Sequence, residues 1–208
     1  MVLEMMMESL FAVVDAYFVG KVSTEAVAAV GLTEAVTTLV YSVGIGLAAA
    51  ATAMVARRIG EKDPEAASKA AAQSILIAVF IGAVIGVLGF TYGEGILRLM
   101  GGSEEVIQAG SGYTRIILGT NLVIILLFLL NGVFRGAGDA SLAMRSLWLA
   151  NGLNIVLDPI FIFGLGPIPA MGAEGAAIAT SIGRGIGVLY QLWMLFGKQS
   201  IIKLKKAY

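Results

Sequence analysis

Residues 146–165 read Ser146-Leu-Trp-Leu-Ala-Asn151-Gly-Leu-Asn154-Ile-Val-Leu-Asp158-Pro159-Ile-Phe-Ile-Phe-Gly-Leu165. A run of about 20 mostly apolar residues is the length a helix needs to cross a bilayer. Inside it, two amides and a carboxylate fall at i, i+3 and i+7, which is one face of a helix. An ionisable group at that depth is costly and marks a candidate functional site. The stretch therefore predicts a membrane helix with one polar stripe.

The rest of the chain agrees with that reading. Of its 208 residues, 58% are hydrophobic and only 13% are charged, with mean hydropathy +0.90. An average soluble domain carries roughly 25% charged residues. Glycine, at 27 residues, suits close helix packing in lipid. The sequence has no cysteine and no histidine, which excludes disulfides, thiol catalysis, imidazole base chemistry and the usual zinc sites. Net charge is zero, so no nucleic-acid footprint is visible. No P-loop, dinucleotide fingerprint or nucleophile elbow occurs, and an enzyme is not expected.

Six apolar segments are expected, roughly 2–20, 26–56, 70–93, 113–134, 146–165 and 173–197, forming an all-α integral membrane bundle in a single unit, 1–208. The runs lack the period-two alternation of a membrane strand. No basic region precedes the first segment, so a cleavable signal peptide is not expected. Residues 94–112, with Glu94, Arg98, Glu104 and Glu105, read as an amphipathic stretch along the outer surface.

Charge sets the orientation. Arg57, Arg58, Lys62, Lys69, Arg135, Arg145, Lys198, Lys203, Lys205 and Lys206 fall on one side, against Lys21 and Arg98 on the other. The excess of basic residues belongs in the cytoplasm. Both termini are then cytoplasmic, in a multi-pass protein of the cell membrane. Arg115 and Arg184 lie near or within spans.

Asp15 stands in the outward half of the first segment, with Glu8 seven residues earlier on the same face and Glu4 one turn further. Asp15 and Asp158 should reach the same depth. Together with amide and hydroxyl oxygens they could hold a proton, or a hard cation such as sodium. The alternative is that these acids only tie helices together. Asn151 and Asn154 are ligands or interhelical hydrogen-bond glue. Pro159 removes the bond to the Ile155 carbonyl and either frees that oxygen or simply kinks the helix. Tyr113, Asn121 and Asn131 lie along segment 4 and Thr180 in segment 6, Tyr113 being a candidate interfacial anchor. Glu34 and Thr33 are expected at the outer interface, outside any site. The methionines Met1, Met5, Met6 and Met7 read most simply as apolar packing.

Six stretches resemble a known family: Val14-Asp15-Ala-Tyr-Phe-Val-Gly20, Ala26-Val-Ala-Ala-Val-Gly31-Leu, Ala56-Arg-Arg-Ile-Gly60-Glu-Lys-Asp63, Phe134-Arg135-Gly-Ala-Gly138-Asp139, Asn154-Ile-Val-Leu-Asp158-Pro159 and Gly172-Ala-Glu-Gly175-Ala-Ala-Ile-Ala-Thr180. In order and spacing they are similar to the first half of multidrug and toxic compound extrusion (MATE) transporters. The resemblance implies an antiporter that expels amphipathic and cationic small molecules in exchange for sodium or protons. It also implies a cation site at Asp15, Asn154, Asp158 and Thr180, and a substrate cavity lined by Tyr113 and Asn131, with Asn151 beside them. Members have twelve helices in two bundles of six, so a second lobe or a second copy is expected as partner. Two other readings stay open: a flippase for lipid-linked sugars from the same wider superfamily, and a non-transporting half whose acids are structural.

Overall fold

The computed structural model describes residues 2–197, with side chains from residue 6 onward. Met1, the side chains of Glu4 and Met5, and Lys198, Lys203, Lys205 and Lys206 lie outside the described residues. Seven helices follow one another: α1 Val2–Val19, α2 Thr24–Gly60, α3 Pro64–Leu99, α4 Glu104–Gly119, α5 Asn121–Gly136, α6 Ala140–Phe163 and α7 Ala173–Phe196. Among the described residues there is no strand.

Local chemistry sets the boundaries. Ser23, Asp63, Ser103 and Asp139 cap α2, α3, α4 and α6, each accepting a backbone N–H three residues on. Pro64 at the first position of α3 costs nothing there, because its missing N–H would have no helical partner. Gly138, at φ +85°, turns the chain between α5 and α6.

The expected fourth segment is two helices. α4 and α5 meet at Thr120 with a bend of 42°. Thr120 Oγ1 donates back to the Ile116 carbonyl at 2.7 Å, and Asn121 Nδ2 takes the Leu118 carbonyl at 2.8 Å. Side chains that compete for the helix's own carbonyls bend it at that point. Residues 94–112 are likewise not a separate surface helix. They comprise the last turn of α3, a short connection and the first half of α4, clasped by Arg98 between Glu94 and Glu104.

By length and apolarity, three helices (α2, α3 and α6) can cross a membrane, and a fourth if the bent pair counts as one span. α1 and α7 fall short among the described residues because they carry the polar side chains described below. Helices pack closely where glycines align. A Cβ at Gly132 or Gly136 of α5 would lie 2.4 Å from the Ala48 carbonyl oxygen or 2.7 Å from that of Thr52, both on α2. The α3 stripe Gly82, Gly86, Gly89 and Gly93 receives α4 and α5 in the same way. One apolar core lies among α2, α3, α5, α6 and α7, and a smaller one gathers Val19, Tyr113 and Ile162. α1 packs mainly on α6 and barely touches α2 or α7.

Candidate functional site

The polar stripe of α6 faces inward. Ser146, Asn151, Asn154 and Asp158 are all buried, Asp158 with no exposed surface. α6 runs unbroken through Pro159. Asn154 is the hub: its Nδ2 donates to Asp158 Oδ1 at 3.2 Å and to Thr180 Oγ1 on α7 at 2.9 Å. Asp15, buried on α1, is near enough for its carboxylate to act electrostatically on Asp158. Asn154, Asp158 and Thr180 thus form one hydrogen-bonded cluster between α6 and α7, with Asp15 of α1 within electrostatic reach.

Three oxygens of this cluster are buried and find no hydrogen-bond partner among the described residues: Asp15 Oδ1, Asn154 Oδ1 and Asp158 Oδ2. A buried acceptor left unpaired costs roughly 1–3 kcal/mol. Three such acceptors from two helices can take up a proton, or donate lone pairs to a small hard cation. No group of three or more Asp, Glu, His or Cys side chains gathers among the described residues. A cation here would draw on amide and hydroxyl oxygen as well as on two carboxylates, which fits sodium better than a metal that prefers nitrogen or sulfur.

The other anticipated residues divide. Tyr113 is buried in the smaller core and lies within electrostatic reach of Asp15. Asn131 belongs to a different network, accepting at Oδ1 from Gln191 Nε2 at 2.6 Å and from Ser146 Oγ at 3.3 Å. It also lines a cavity of about 280 Å³ among α1, α2, α5 and α6, together with Glu8, Phe128 and Arg135. Asn151 is buried, and its Nδ2 finds no partner among the described residues. Asn121 serves the α4–α5 joint.

Two residues that the sequence reading left outside the site lie within electrostatic reach of it. Glu34, exposed on α2, acts electrostatically on both Asp15 and Tyr113. Arg184, half-buried on α7, donates to Tyr41 Oη at 3.0 Å and reaches Asp15 electrostatically. A lone arginine between Gly183 and Gly185 in an apolar run was the signal for it. Glu34 sat too near a helix start to give one. Thr33, expected at the interface, is buried and hydrogen-bonded to Thr114 at 2.7 Å.

The MatE family model matches residues 1–160. The probable multidrug resistance protein NorM of Thermotoga maritima is 30% identical over 204 residues, 98% of this chain and 44% of that protein. The FAD transporter of Shewanella oneidensis is 31% identical over 170 residues, 82% of this chain and 38% of that protein. A crystal structure of MATE in complex with MaL6 matches with TM-score 0.91 and 32% identity, covering 99% of this chain and 45% of the other. The chain spans less than half the length of each.

Proposed function

The chain belongs to the MatE family of transporters, and from that premise we propose that it is one lobe of a cation-coupled antiporter that expels organic cations and other amphipathic compounds. The observation that carries this reading is the trio of buried, unpartnered oxygens on Asp15, Asn154 and Asp158. Sodium or a proton is here a transported substrate. Arriving at the trio, it draws the α1 carboxylate toward α6 and offsets the repulsion between the two acids. α1 has little else to hold it, so the helix repacks and a drug bound against it is released. Relatives named for multidrug resistance support the substrate class.

The lobe lies in the cell membrane with its basic ends in the cytoplasm. The cleft of alternating access forms between two repeats, so a second lobe or a second copy completes the transporter. A flippase for lipid-linked sugars fits less well. Of the two basic residues near the spans, Arg115 is paired with Glu94 and Arg184 with Tyr41.

Reconstitution tests the reading. Ethidium efflux from proteoliposomes should follow an imposed sodium or pH gradient, and Asp158→Asn should abolish that dependence. An unchanged gradient response in the variant contradicts the coupling role.

A further inference from the structure

Arg184 of α7 is a basic side chain drawn into the bundle near the α1 acids. Its Cζ lies 5.6 Å from the Phe11 ring centroid on α1 and 5.7 Å from that of Tyr41 on α2. Both distances fall within the roughly 6 Å over which an aromatic face attracts a cation. Among the described residues its guanidinium makes a single hydrogen bond, to Tyr41, and no direct ion pair. Glu8 and Asp15, one on each side of Phe11 along α1, act on it only at longer range.

A guanidinium meant only to pin helices together would sit buried in a direct carboxylate pair. This one is partly buried, on a long arm, held by two rings from α1 and α2, helices that barely touch each other. Two rings flanked by two acids are the chemistry that recognises a flat organic cation. The site also opens onto space. Glu8 and Phe128 line the 280 Å³ cavity, and Phe128 packs edge-on against Tyr41 with ring centroids 5.5 Å apart.

We propose that Phe11 and Tyr41, with Glu8 and Asp15, form a recognition site for flat organic cations, and that Arg184 is its tethered resident, displaced when such a cation binds. This rests on the reading of the chain as an organic-cation transporter and names how the cation is held. Arg184 sets a threshold: a ligand must out-compete a guanidinium already in place. Because Asp15 belongs both to this site and to the coupling trio, a sodium ion or proton at Asp15 weakens the acidic side of the cage.

The test is equilibrium binding, without any gradient, of ethidium (a planar cation) and fluorescein (a planar anion) to the purified chain in lipid nanodiscs. Arg184→Gln should tighten ethidium by about three- to thirtyfold, the range spanned by one desolvated cation–π contact. In that background guanidinium chloride should compete with ethidium, and Phe11→Leu should reverse the gain. Tyr41→Phe keeps the ring but removes the hydroxyl that anchors Arg184. It should tighten ethidium by a smaller factor, and it provides the test should Arg184→Gln not fold. Unchanged or weaker ethidium binding in the first variant that folds, or fluorescein binding that falls with loss of Arg184 while ethidium is unmoved, overturns the proposal. Gradient-independent transport would instead defeat the coupling role of Asp158 and leave this result standing.

Discussion

Asn154 concentrates the chemistry of α6 in one side chain, since both amide hydrogens are spent, one on Asp158 and one on Thr180, and its oxygen is left free. Asn154→Leu removes two hydrogen bonds at once and strands two buried acceptors. We expect a loss of about 1–3 kcal/mol, read as a lower melting temperature in detergent, whereas Asn154→Gln should recover part of it. A variant as stable as the parent would mean that the pair is decoration. Asp15, Asn154 and Asp158 were legible in the sequence because a polar residue in an apolar run is conspicuous wherever it points. Thr180 was legible only through family resemblance. Its partner lies 26 positions away on another helix, and no periodicity carries that information. Glu34, near a helix start, gave no signal at all, and the lone Arg184 gave one that did not say which helices it joins.

At the scale of elements, glycine decides where helices touch. Gly132→Val would thrust a side chain at the Ala48 carbonyl and force α5 from α2. Overpacking of that kind costs about 1–3 kcal/mol. Gly95 of α3 has open space around its missing Cβ, so Gly95→Ala should be neutral or stabilise by roughly 0.5–1 kcal/mol through helix propensity. Melting curves of the two variants should move in opposite directions, or the second not at all. A joint fall would show that the close approach is not what Gly132 serves. The sequence marked helix starts well, since Asp63 with Pro64 and Gly138 with Asp139 are local signals. It missed the break at Thr120, because apolarity runs straight through the joint and the bend comes from side chains turning back onto the helix's own carbonyls.

For the molecule as a whole, the candidate site lies on α6 and on the two shorter helices, α1 and α7, that carry charged or polar side chains in otherwise apolar runs. α1 carries Glu8 and Asp15, and α7 carries Thr180, Arg184 and Gln191. The long apolar helices α2 and α3 form the frame. All-helical membrane architecture was readable from composition. A lobe that works against a second repeat should associate. Mass measurement in detergent is expected to show a second lobe or a second copy accompanying this one, and a strict monomer that nonetheless transports would contradict the two-lobe account. The central claim, that Asp15 and Asp158 share one cation, is tested most directly by infrared difference spectroscopy of the carboxyl bands as sodium is added or pH is stepped. The account predicts carboxyl signals in the parent chain, with Asp15→Asn and Asp158→Asn each deleting one and displacing the other. Signals that persist unchanged in both variants would contradict it.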